Sequence, residues 1–310
     1  MLWAIAGFVL LLAIGGLALQ YAISRNGPAV LSGVDRLAGG STGVSVKGTI
    51  STGEHPSQKV IVWGPESRDP ESEPLPVLLF VHGGSWRSGD PIDYGFVGRS
   101  FVPKGFVVVL AGYRLHPDAV YPAMLEDTAR AIKWTREEIA QYGGNPDRIT
   151  IAGHSAGAYN VVQTALERQW LGRHGLSSRD IAGVVGLSGP YDFFPFDSDS
   201  TKASFGEAER PEETQPVNHV RSDAPAMLLI HGEADDLVKV RNSRELASRI
   251  EAAGGRVTTR YFAEMDHNAP LISLAAPWRN SREVDDIIAE FALSATIRDE
   301  TSVPVQDETR

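Results

Sequence analysis

Cysteine is missing from all 310 residues. Its absence excludes disulfides, a thiolate nucleophile and cysteine-ligated zinc, and is compatible with reducing and oxidising compartments alike. Positive charge is scarce too: 29 Lys and Arg stand against 39 Asp and Glu, a formal net charge of -10, with no dense basic run. Phosphate binding needs clustered cations, so nucleic acid is excluded as an expected partner and small molecules or proteins remain. The eight histidines are scattered and none falls in an H-E-x-x-H pattern, so no metal set is expected. No glycine-rich dinucleotide turn accompanies the first strand-like run, no cofactor is expected, and no internal repeat is present.

What the chain does have starts with an apolar run. Leu2 to Ile23 carry no charge, and Gln20 is the one strongly polar residue among them. As a helix this run reaches about 33 Å, enough for a hydrocarbon core of roughly 30 Å. No Lys or Arg precedes it, unlike the basic start of a cleaved signal peptide, so residues 1–24 are expected to form a membrane anchor, with a signal peptide as the alternative. Arg25, Arg36 and Lys47 follow the run, which favours the cytoplasmic side for the rest of the chain. Residues 25–45 are rich in Gly and Ser and are expected to be a linker, residues 46–296 a folded domain, and residues 297–310 a flexible, solvated tail.

Within the domain, short apolar runs alternate with helical patterns. The runs at 59–63, 76–82, 105–113, 148–153, 181–189, 226–232 and 256–262 read as strands, several of them apolar on consecutive residues, as in strands covered on both faces. Helical spacing occupies 121–142, 156–171, 241–254 and 281–296. The alternation implies an α/β fold with a mostly parallel central sheet and helices on both faces.

The stretch "RITIAGHSAGAYN" sets Ser155 at a turn from strand to helix, between Gly153 and Gly157. Such a turn projects the hydroxyl beyond the sheet edge and tolerates only small flanking residues, so Ser155 reads as a nucleophile. A serine needs a base, and the base needs an orienting acid. Downstream, "LLIHGEADDLV" offers Asp235 or Asp236 and "RYFAEMDHNAPL" offers His267, each just after a strand. Asp266 is discounted because adjacent side chains seldom face each other. "FVHGGSWRSGD" follows the second of these strands, and its glycines let backbone N–H groups approach a substrate oxygen; Gly84, Ser85 and Ala156 are the expected oxyanion donors. His82 and His231, at strand ends before glycines, read as structural. Trp86, His154 and Tyr191 are expected to line the substrate pocket, together with phenylalanines at 193, 194 and 196.

Taken together, "HGGSW", "YRLHPDAVYPAMLEDTARAIKW", "YGGNPDRITIAGHSAG", "HGEADDLV" and "MDHNAPL" resemble the α/β-hydrolase superfamily, specifically carboxylesterases with an HGGxW oxyanion segment, over most of residues 58–292. The resemblance extends to isoprenylcysteine methylesterases and arylformamidases. It implies a Ser155, Asp235, His267 triad, an acyl-enzyme intermediate and a small-molecule ester substrate, with formyl amides as the alternative and a non-catalytic binding role on the same fold as a further one. Ser85 and Trp86 stand where related lipase-like chains have a third glycine, which leaves the donor pair open. Only about thirty residues separate "GLSGPYDFFPF" from "PAMLLIHG", too few for a large cap domain, so an open site is expected.

Overall fold

A computed structural model of the protein describes residues 21–22, 26–39, 42–69 and 71–296. The expected anchor over Leu2 to Ile23 and the tail at 297–310 lie almost wholly outside them. Among the described residues, no helix is long and apolar enough to cross a membrane.

Eight strands form one mixed sheet: β1 (Val44–Ser51), β2 (Lys59–Pro65), β3 (Leu75–Val81), β4 (Val107–Ala111), β5 (Gly144–His154), β6 (Gly183–Leu187), β7 (Ala226–Gly232) and β8 (Val257–Phe262). Their spatial order is β1-β2-β4-β3-β5-β6-β7-β8. The β1–β2 and β2–β4 pairs are antiparallel and all others parallel. The seven expected strands are all present. The eighth, β1, is a half-exposed edge strand whose first two residues fall at the end of the expected linker and whose other six open the expected domain.

Because side chains alternate across a pleated strand, each run of consecutive apolar residues feeds two cores. Val77, Leu79 and Val81 of β3 point into one, while Leu78 and Phe80 point into the other. The first core is closed by the helices α3 (Ala123–Glu138), α4 (Ala156–Leu166) and α7 (Arg241–Ala252), and the second by α1 (residues 26–37), α2 (Gly95–Phe101) and α10 (Val284–Thr296). Shorter helices α5 (Arg168–Gly172), α6 (Asp199–Phe205), α8 (Ala269–Ile272) and α9 (Arg279–Arg282) fill the connections. The helical pattern at 156–171 is interrupted at Glu167, whose φ of -93° and ψ of 103° are extended. Its carboxylate accepts the Trp170 indole N–H at 2.6 Å.

Helix α1 corrects the reading of 25–45 as a linker. Leu31 is buried in the second core, and Asp35 is fully buried between two arginines. Arg99 Nε and Arg279 Nη2 both donate to Asp35, as does the Ala276 N–H at 2.7 Å. Gly and Ser count suggested a loop, but the apolar spacing of Val30, Leu31 and Val34 and a partnered Asp dock this segment as a helix.

Candidate active site

The parallel strands β3, β5, β7 and β8 end at the same edge of the sheet, and the loops leaving that edge bring the expected residues together. Ser155 follows β5 directly and precedes the first residue of α4, with φ 54° and ψ -120°. A non-glycine residue there is strained and is held only because its surroundings leave no alternative. Its N–H is bound by the Leu187 carbonyl of β6 at 2.8 Å. The turn also closes against backbone: a Cβ on Gly157 would run into the Val81 and His82 carbonyls, and one on Gly153 into the Gly157 carbonyl. Both glycines are thus needed for packing.

His267 Nε2 lies 2.9 Å from Ser155 Oγ, and its Nδ1 lies 2.8 Å from Asp235 Oδ2. A carboxylate only accepts, so Nδ1 carries the proton and Nε2 is left free to accept from the serine hydroxyl. Asp235 is 2 % exposed, and its Oδ1 takes the N–H groups of Leu237 at 2.9 Å and Val238 at 2.8 Å. Burial disfavours its charge, but hydrogen bonds from His231 and His267 and from the Val238 N–H outweigh that, holding the carboxyl well below the usual carboxylate range. Asp236 is exposed and pairs with Lys239, so the structure brings Asp235 to the histidine and leaves its neighbour outside.

Two further histidines support this row. His231 Nε2 faces the Val238 carbonyl at 2.7 Å and Asp235 Oδ2 at 3.1 Å, both acceptors, so that nitrogen is protonated and Nδ1 accepts the Ser243 hydroxyl at 2.7 Å. Sequence reasoning assigned His231 a structural part but missed its contact with the acid. Their separation by four residues, around a turn, was the available signal. His154 Nε2 donates to the His267 carbonyl at 3.0 Å. Burial, reinforced by the nearby His267, pushes its pKa down to about 3.

The N–H groups of Gly84, Ser85 and Ala156 have no acceptor among the described residues. Gly84 and Ser85 have positive φ values of 122° and 54°, and the Gly84 carbonyl is turned away to accept from Arg87 and Ser88. A Cβ on Gly84 would collide with the Ser88 carbonyl, which explains the glycine. Ala156 opens α4, where the helix dipole and unpaired N–H groups favour negative charge.

Ser155 is shared by two cavities. One, of about 500 Å³, is walled by Gly84, Ser85, His154, His267 and, unexpectedly, Asn26 to Pro28 of α1. The other, of about 330 Å³, is walled by Trp86, Ala156, Phe193 and Phe194, with Ser200, Lys239 and Arg241 among its polar members. Trp86 and His154 each line one of these cavities. Tyr191 does not: it is fully buried in the first core, its ring filling the space left by Gly186 and Gly189. Phe196 packs on Phe193 and Phe205 behind the cavity wall.

The chain matches the BD-FAE family model over residues 67–250, more than half its length. It belongs to the BD-FAE family. Esterase LipQ of Mycobacterium tuberculosis is 32% identical over 234 residues, 70% of this chain and 54% of that protein. The isoprenylcysteine alpha-carbonyl methylesterase of Arabidopsis thaliana is 25% identical over 267 residues, 79% of this chain and 61% of that protein. This BD-FAE member thus spans little more than half the length of the relatives it matches in sequence. Among solved structures, Esterase B from Lactobacillus rhamnosis shares the fold with a TM-score of 0.72 and 18% identity, covering 90% of this chain and 94% of that one. Thermogutta terrifontis esterase 2, solved phosphonylated by sarin, has a TM-score of 0.65 and 20% identity, covering 82% of this chain and 95% of that one.

Proposed function

We propose that this BD-FAE member is a carboxylesterase using Ser155 as nucleophile, His267 as general base and acid, and Asp235 as the orienting carboxylate. The observation that carries the reading is the unbroken row from Asp235 through His267 to Ser155, ending on a strained serine beside three unpaired N–H groups. The esterase names of its sequence relatives support it.

In this mechanism His267 Nε2 takes the Ser155 proton as Oγ attacks the ester carbonyl, and Asp235 stabilises the imidazolium. The N–H groups of Gly84, Ser85 and Ala156 receive the oxyanion. Collapse expels the alcohol, which takes the proton from His267. Water, deprotonated by the same nitrogen, then attacks the acyl-enzyme, and the carboxylic acid leaves with Ser155 restored. The uncharged N-terminal run supports a membrane anchor for the domain, with the basic residues after it favouring the cytoplasmic face.

Turnover of p-nitrophenyl butyrate and labelling by a fluorophosphonate probe test the chemistry. The wild type is expected to do both, and Ser155→Ala to lose at least about 10³-fold in kcat and all labelling. Faster cleavage of formyl-aryl amides than of aryl esters would replace the ester reading with the amide one, and absence of labelling in the wild type would remove the nucleophile.

A further inference from the structure

A third cavity, of about 690 Å³, lies beside the first. Val30, Leu31 and Val34 of α1 line it, along with Leu271 and Ile272 of α8 and Trp278. Of its charged members, Glu264 and Asp266 are exposed and Arg282 is half-buried, while the aliphatic residues of α1 and α8 and Trp278 make most of the lining apolar. Gly27, Pro28, Asn268 and Leu271 line both this cavity and the one holding Ser155 and His267. These four shared residues, two from α1 and two from the start of α8, set the third cavity directly against the reaction cleft.

We propose that this groove between α1 and α8 binds the hydrocarbon chain of the ester, so that the preferred substrate carries one long alkyl or acyl tail. The inference rests on the esterase reading for the position of the carbonyl at Ser155, and on the shared wall for the path of the tail. Size supports the assignment, since a groove of this volume is in the range that holds whole ligands, and apolar lining is stabilised by covering it with methylenes. The other side of the serine suits the opposite end of such a molecule, because Ser200, Lys239 and Arg241 line the second cavity. Leu237, which borders both cavities that contain Ser155, is 72% exposed, an apolar side chain at the entrance. The groove is also fixed in place: the buried Asp35 ties α1 to Arg99 and Arg279, so its α1 wall is present before substrate arrives.

The test uses the full chain and p-nitrophenyl esters from butyrate to dodecanoate. The quantity read is the ratio of kcat/KM for dodecanoate to that for butyrate, which partial misfolding leaves unchanged because it lowers both alike. Val34→Trp fills the groove from α1, and Ile272→Asp puts a charge on the facing wall. Each is expected to lower the ratio by about tenfold or more, the equivalent of roughly two methylenes returned to water. An unchanged ratio in both variants overturns the proposal, including the case in which the chain's own N-terminal run fills the groove. A second arm does not depend on turnover: dansyl-undecanoic acid is titrated into Ser155→Ala with and without Val34→Trp. Binding that Val34→Trp weakens by about tenfold supports the groove even where no ester is cleaved, and absent or unaltered binding counts against it.

Discussion

Two adjacent aspartates differ in what they touch, and that difference decides which can serve catalysis. Asp235 turns inward, takes two N–H groups of its own turn and meets His267, whereas Asp236 points outward to Lys239. Replacing Asp235 by Asn offers the imidazole an amide in place of a carboxylate and favours the wrong tautomer, so kcat should fall about 10⁴-fold. Asp236→Asn breaks only an exposed pair and should stay within about twofold, because such pairs contribute little. Butyrate-ester kinetics on the two variants check this, and the reverse pattern would transfer the role. The order of serine, acid and base was legible in the chain because each follows a strand. Which aspartate was legible only through the family resemblance, because neighbours of identical chemistry are otherwise told apart only by the turn that aims them. Tyr191 misled for a related reason: nearness to a strand end suggested the cleft, but the ring occupies the space over two glycines on the core side.

At the level of elements, α1 shows how a segment with loop-like composition becomes structure. Its one acidic core residue, Asp35, is enclosed by Arg99, Arg279 and the Ala276 N–H. Asp35→Ala leaves the buried Arg99 guanidinium without its carboxylate and the half-buried Arg279 with only the more distant Asp285, a loss expected to be about 3 kcal/mol. Urea denaturation measures it. Converting Arg99 and Arg279 to Met in the same chain should recover most of that stability, because an apolar replacement of a whole buried ion cluster is often neutral. A loss below about 1 kcal/mol in the single variant would mean that α1 is not held by this contact. The central strands were readable from their consecutive apolar residues, which serve two cores at once. Edge strand β1 was not, since four of its eight residues are exposed and its partner β2 supplies the order that its own sequence lacks.

Across the whole molecule, two buried imidazoles set the response to acid. Burial, opposed in part by the Gly83 carbonyl, pushes the pKa of His82 down to about 4, and burial together with His267 pushes that of His154 to about 3. Both are therefore neutral in the fold, whereas in the unfolded chain they titrate near 6.5. Below that pH the unfolded state binds protons that the folded state refuses, so stability falls as pH drops from about 6.5 toward 4. The stability held by Asp235 has the same sign but is lost only below the ordinary carboxylate range, outside this window. His154→Gln keeps an N–H donor and removes one titrating group. The gap between wild-type and variant unfolding free energies should therefore change by up to about 1.4 kcal/mol per pH unit between pH 6 and 4, and a constant gap would show His154 protonated in the fold.

The clasp from His154 to the His267 carbonyl unites the nucleophile's turn with the loop that carries its base. The parts that perform the proton transfer thus travel together, fastened to β5, while the surfaces that meet the rest of a ligand belong to α1 and to residues 193–201. Those walls can be exchanged by mutation without disturbing the bond-breaking centre. Under the proposed esterase reading, this architecture lets a lineage change which esters it accepts while leaving untouched how it cleaves them.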